Sequence, residues 1–204
     1  METRLIRTDR PDCFPTALRY IRSGQLVAFP TDTVYGLAAD LFNPDAIENL
    51  YQVKEREHLK AIPVLLGSPA ALDRVTIHMN VLARKLADRF WPGPLTLVVP
   101  VHPRLPENLS PQPTVGVRMP NHPDALALLE ACGPLAVTSA NLSGQDNTLS
   151  AEQVFAQLAG RIPLILDGGR TPGGMPSTVV DCTGEEPAIL RLGPIKLEDI
   201  LAAL

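Results

Sequence analysis

Phe29-Pro30-Thr31-Asp32-Thr33-Val34-Tyr35-Gly36-Leu37-Ala38-Ala39-Asp40 continues the short apolar run 25–29. That run has the length and composition of a buried strand, and Pro30, which lacks an N–H, ends its hydrogen-bond ladder. Two threonines, an aspartate and a tyrosine then crowd into residues 31–35, ahead of Gly36. Hydroxyls and free backbone amides at a strand end suit a small polar ligand. The same residue types also make ordinary strand-to-helix turns by Asx-type self-bonding, so this stretch alone leaves both readings open.

Strands and helices alternate on either side of it. Upstream, Leu5-Ile6 is expected to start an edge strand, and residues 14–23 place Phe14, Ala17, Leu18 and Ile21 at helical spacing before Gly24 closes the helix. Downstream, Asn43 as N-cap and Pro44 at the first turn introduce a helix whose Ala46, Ile47, Leu50 and Tyr51 share a face and which ends near Lys54. Strands are expected at 62–66, 95–101, 115–118, 135–138 and 164–166, and helices after Ser68-Pro69 and over 80–90, 123–131, 151–159 and 196–203. Residues 177–181 and 188–192 read as a hairpin across Thr183-Gly184. The pattern predicts an α/β fold, a twisted mixed sheet flanked by helices whose antiparallel part is the late hairpin, in one domain over residues 1–204. The Pro-rich 102–114 segment reads as an exposed loop, and 167–174 as a Gly-rich mobile one.

A net charge of −4 argues against a chain basic all over, as a nucleic-acid-binding surface would make it, but leaves room for a local basic cleft. No apolar run approaches the ~20 residues that span a bilayer. Leu5 and Ile6 are too few for a secretory signal core, so a cytoplasmic location is expected. Cys13, Cys132 and Cys182 lack both metal spacing and an even count, and are read as incidental thiols. His58, His78, His102 and His122 also lack ligand spacing and are read as solvated or capping. The glycines at 168, 169, 173 and 174 fit neither the dinucleotide fingerprint nor the Walker loop. No nucleophile elbow is present, and Asp32 and Asp40 form no defined carboxylate pair.

Cations and hydroxyls recur at strand ends. Arg56 and Lys60 precede one strand, Arg118 ends another, Ser139 and Asn141 follow a third, and Arg191 lies in the last. If these ends converge, an acidic protein acquires a positive cleft for phosphates and a carboxylate. Arg56 and Lys60 also read as a solvated helix end, and Arg118 and Arg191 as structural cations needing a carboxylate such as Asp181.

Several separated segments, in order, resemble the YrdC-like family, the threonylcarbamoyl-AMP synthases of the short kind. They are Pro-Thr-Asp-Thr-Val-Tyr-Gly-Leu at 30–37, Lys54-x-Arg56 with Lys60, Trp91-Pro92-Gly93-Pro94-Leu95-Thr96, and Val117-Arg118-Met119-Pro120 with His122-Pro123. Thr138-Ser139-Ala140-Asn141-Leu142-Ser143-Gly144, Ser177-Thr178-Val179-Val180-Asp181 and Ile189-Leu190-Arg191-x-Gly193 complete the series. The resemblance implies a nucleotidyltransferase that joins L-threonine, bicarbonate or CO2, and ATP into threonylcarbamoyl-AMP with release of pyrophosphate, for tRNA modification by a partner transferase machinery. It implies threonine at Thr33, Arg118, Val137 and Ser177, and ATP at Arg56, Lys60, Ser139, Asn147 and Arg191. It implies no covalent nucleophile, Mg2+ arriving with the triphosphate, a lid from 168–174 or 102–114, and no membrane partner. Lys54-Glu55-Arg56-Glu57 and Lys60-Ala61-Ile62 depart from the family by lacking two prolines. An inactive paralogue, or a module binding double-stranded RNA or tRNA, are the competing readings.

Overall fold

Residues 1–204 are all described by the computed structural model. In chain order the elements are β1 (Arg4–Arg7), α1 (Cys13–Arg22), β2 (Val27–Phe29), β3 (Gly36–Asp40), α2 (Pro44–Lys54), β4 (Val64–Leu65), α3 (Val81–Phe90) and β5 (Leu95–Pro100). There follow β6 (Thr114–Arg118), α4 (Pro123–Cys132), β7 (Leu135–Ser139), α5 (Ala151–Leu158), β8 (Leu164–Asp167), β9 (Thr178–Asp181), β10 (Ala188–Arg191) and α6 (Leu197–Ala202). Pro69–Arg74 and Glu107–Leu109 are 3-10 turns.

The Thr/Asp-rich stretch turns back on itself. β3 pairs antiparallel with β2, Phe29 opposite Gly36, so residues 30–35 connect two strands and do not lead into a helix. Ala38 and Ala39, small and apolar, fit a strand buried on both faces, a pattern that carries no periodic signal.

All ten strands form one sheet, ordered β1-β8-β2-β3-β7-β4-β6-β5-β9-β10. The late β9–β10 hairpin is present, but antiparallel pairing also joins β2 to β3, β3 to β7, β4 to β7 and β5 to β6. The expectation that the hairpin supplies the antiparallel part is therefore corrected. Short strands left little for the sequence to register against one another.

Alternating side chains divide the core between the faces of the sheet. Ala28, Leu37, Ala39, Ala136, Ile165, Leu95, Leu97 and Val99 join the larger cluster, with α2, α3 and α5. Val27, Phe29, Ala38, Leu135, Val137, Leu164 and Leu166 join the smaller one, covered by α1 and α4. Those two helices reach only one half of their face, because α1 packs on β2, β3 and β8 and α4 on α1. Past β7 the same face carries Leu65, Thr96, Val98, Gly116 and Val179, and there a cleft opens.

Local chemistry accounts for the helix starts. Asn43 accepts from the amides of Asp45 and Ala46, Asn80 from Ala83, and Ser150 from Gln153. Residues 102–114 are not a free loop. Leu105 and Leu109 are buried, and Leu109 O accepts from Ile62 N at 2.9 Å. Nor is 167–174 loose: Tyr35 Oη donates to Gly169 O at 2.7 Å, Thr171 N to Leu149 O, and Gly174 N to Thr33 O, both at 2.8 Å. His122, expected to be solvated or capping, occupies the N-cap position of α4 without a side-chain cap bond, and its Nδ1 is buried without a partner. No helix is long and apolar enough to cross a membrane.

Candidate functional site

The cleft has a volume of about 380 Å³. A larger hollow of about 550 Å³ lies elsewhere, between the Pro69–Arg74 turn, α3 and Trp91, and gathers none of the strand-end cations. Eight of the nine expected ligand residues line the smaller cleft: Thr33, Arg56, Arg118, Val137, Ser139, Asn147, Ser177 and Arg191. Lys60 does not. Its side chain is 60 % exposed and pairs with Glu57 at 3.5 Å, while its carbonyl accepts from Arg56 Nε at 3.2 Å.

Sheet register divides the site into two ends. Ser139 ends β7 opposite Gly36, whereas Leu135, four residues back, lies beside Leu65, which in turn is opposite Arg118. At about 3.3 Å per residue the two groups stand roughly 13 Å apart along the strands. They converge across the open face, not at one sheet edge.

At one end Arg118 is buried, and each of its three guanidinium nitrogens is used. Nε donates to Gly93 O at 2.9 Å, Nη1 to Thr33 Oγ1 at 2.9 Å, and Nη2 to Asp32 Oδ1. Asp32, not Asp181, is thus its counter-ion, and the side chains are 7 % and 10 % exposed. Asp181 instead accepts from Thr183, and Asp40 from Phe42 N. Thr31 Oγ1 bonds Thr33 Oγ1 at 3.0 Å and donates to Val34 O at 2.7 Å, which holds the loop's hydroxyls in place. Gly173 lies against this loop: a Cβ there would sit 2.6 Å from Asp32 O and 2.8 Å from Thr33 Cα.

At the other end Lys54, 1 % exposed, sends Nζ to Ser139 O and Asn141 O, and to Asn141 Oδ1 at 3.3 Å. Ser139 Oγ donates to Asn141 Oδ1 at 2.5 Å, and Asn141 Nδ2 to Gln145 O at 2.7 Å. One buried ammonium therefore shapes the loop after β7. Burial, helped by the nearby Arg56 charge, pushes Lys54 down to about 7. Arg56 donates to Ala61 O at 3.0 Å. Arg191 stands between the two ends: its register through β9 and β5 is level with Arg118, it donates to Ser177 O at 2.8 and 3.1 Å, and it feels the charge of Arg56. Burial lowers all three arginines below their ordinary value, and the charge of Arg56 further lowers Arg191. No Asp or Glu lines the cleft. Such a field attracts an anion with several charges.

Lys54, Asp32 and Thr96 were given no site role from the sequence. Lys54 carried a signal: it falls four residues after Leu50 and three after Tyr51, on the buried stripe of α2. For Asp32 and Thr96 the partners are 86 and 81 residues away, and no local pattern points to them.

Residues 19–193 match the family model of the Sua5, YciO and YrdC proteins, described as "Telomere recombination". A threonylcarbamoyl-AMP synthase of Bacillus subtilis is 42 % identical over 194 residues, 92 % of this chain and 55 % of that protein. A putative threonylcarbamoyl-AMP synthase of Mycobacterium tuberculosis is 42 % identical over 190 residues, 93 % of this chain and 88 % of that protein. The crystal structure of Pyrococcus abyssi Sua5 complexed with L-threonine superposes with a TM-score of 0.94 at 38 % identity, covering 100 % of this chain and 61 % of that one. The chain thus spans a little over half the length of the Bacillus and Pyrococcus relatives. Because the family match runs from the first helix to just beyond Arg191, across both ends of the cleft, the chain belongs to the Sua5/YciO/YrdC family.

Proposed function

We propose that this protein is an L-threonylcarbamoyladenylate synthase, a nucleotidyltransferase supplying threonylcarbamoyl-AMP for tRNA modification. The observation that carries the reading is a cleft with three arginines, hydroxyls at both ends and no carboxylate in its lining. The similarity to relatives of that name, one of them solved with L-threonine, supports the same reading. The 204 residues are proposed to act as one domain, since one sheet carries both ends of the site.

Threonine is assigned to the Arg118 end, its carboxylate on the guanidinium beside Thr33, with the Val137 backbone and Ser177 completing the seat. ATP is assigned to Arg56, Ser139, Asn147 and Arg191, with Lys60 reaching in from the rim. Threonine's ammonium loses one proton to solvent, the neutral amine forms an N–C bond to CO2 as a C=O π bond opens onto oxygen, and a second proton leaves the nitrogen to solvent, giving the carbamate. A carbamate oxygen then bonds to the α-phosphorus, the α–β bridging P–O bond breaks, and pyrophosphate leaves. Positioning and charge neutralisation suffice for both steps, so no protein nucleophile is invoked. The residues present do not form a Mg2+ site, because no carboxylate lines the cleft and Asp32, the one beside it, is committed to Arg118; Mg2+ is proposed only as part of the nucleotide substrate. A transferase that passes the product to tRNA is the proposed partner.

The test is mass-spectrometric detection of threonylcarbamoyl-AMP from purified protein with ATP, Mg2+, bicarbonate and L-threonine, omitting each in turn. Product requiring all three substrates is expected. Folded protein that binds ATP but makes no product would sink the proposal.

A further inference from the structure

Thr96 in β5 and Ser177, just ahead of β9, meet at the cleft with their hydroxyl oxygens 2.8 Å apart. They are 3 % and 5 % exposed. Arg191 Nη2 also donates to Ser177 Oγ, at 3.2 Å. A hydroxyl has one proton and two lone pairs. Arg191 has no lone pair to offer, so it fills one on Ser177. Thr96 Oγ1 bonds to nothing except Ser177 Oγ. If Ser177 donated to Thr96, the proton of Thr96, a residue only 3 % exposed, would have no acceptor in the protein. If Thr96 donates, both lone pairs on Ser177 are filled and the only unspent group is the Ser177 O–H, at the cleft wall.

We propose that Thr96 is a positioning residue: together with Arg191 it commits Ser177 to act as a hydrogen-bond donor, so that Ser177 recognises the side-chain hydroxyl oxygen of bound threonine. This rests on the threonine reading above. The chemistry selects the hydroxyl from threonine's polar groups. The carboxylate is assigned to Arg118. An ammonium has no lone pair to accept with, and once neutral the amine must aim its lone pair at CO2. The hydroxyl oxygen remains. Preference for threonine over the same carbon skeleton without the hydroxyl then depends on Thr96 as well as on Ser177.

The experiment is calorimetric titration of L-threonine and L-2-aminobutyrate into the wild type, Thr96→Val and Thr96→Ser, with ATP binding and thermal melting as controls. Thr96→Val keeps the shape and removes the proton. The wild type is expected to prefer threonine, and Thr96→Val to shrink that preference roughly five- to tenfold, the worth of one hydrogen bond, while the Kd values for aminobutyrate and ATP hold. Thr96→Ser restores the preference. Equal weakening of both amino acids, or an unchanged ratio, overturns the proposal, because a purely structural role moves the two together. Should the valine variant not fold, Thr96→Cys, whose thiol donates weakly, gives the same comparison. A wild type that binds ATP but neither amino acid overturns the threonine assignment itself, and is told apart by the absence of any binding to compare.

Discussion

Replacing Asp32 by Asn tests how the Arg118 charge is balanced. Arg118 and Asp32 are a nearly buried pair, 7 % and 10 % exposed, and the guanidinium's other contacts, Gly93 O and Thr33 Oγ1, are neutral. Asparagine keeps the shape and one acceptor oxygen but leaves the buried cation without a counter-charge, a change that costs about 3 kcal/mol. For a chain of this length that lowers Tm by roughly 6 to 12 °C. Threonine should reverse the loss. On the proposed assignment its carboxylate would approach a guanidinium that, in the wild type, Asp32 already neutralises. Two carboxylates sharing one guanidinium, taken as about 5 Å apart at an effective dielectric of about 20, would repel by roughly 3 kcal/mol. Removing that repulsion should tighten threonine binding at least tenfold in Asp32→Asn. The assay is differential scanning fluorimetry across a threonine titration, with calorimetry for Kd and ATP as the control ligand. A thermal gain from threonine no larger in Asp32→Asn than in the wild type refutes the reasoning, and weaker binding would show that Asp32 instead holds Arg118 in its binding orientation.

Three further outcomes follow from the geometry. Lys54 titrates at about 7 in the folded protein against an ordinary 10.5, so between those values the unfolded chain holds the extra proton and stability rises with pH. From pH 7 to 9 the wild type should gain up to about 2 kcal/mol relative to Lys54→Met in urea unfolding, and parallel pH slopes would contradict the assignment. Gly173→Ala puts a Cβ against Asp32 O and Thr33 Cα, both backbone atoms that cannot step aside as a side chain can; a loss of about 1–3 kcal/mol in stability, with weaker threonine binding and near-normal ATP binding, is expected by melting and calorimetry. Arg56→Ala removes a charge-assisted donor from the proposed phosphate end, so ATP affinity should fall by one to two orders of magnitude while threonine binding holds. Equal effects on both ligands would contradict the two-ended site.

Local sequence was enough wherever the controlling interaction is local. The helix starting at Pro44 follows from Asn43, whose side chain accepts from the next turn's amides, and the strand 95–100 follows from its apolar run. The order of motifs along the chain was enough for the family, and it named eight residues that the fold gathers in one cleft. Lys54 was half legible, as a lysine on a buried stripe whose partners lie in another loop. Four things only the tertiary structure decided. Residues 36–40 became a strand because β2 and β7 flank them, a pairing their small side chains do not announce. Asp32 became the partner of Arg118, and Thr96 that of Ser177, through contacts across more than 80 residues. The cleft exists because α1 and α4 cover only part of one face of the sheet, and no residue's own preferences encode where a helix stops covering its neighbours. Capping and periodicity act within a turn or two of chain and can be read from it; ion pairing and uncovered surface depend on which distant segments the sheet brings together.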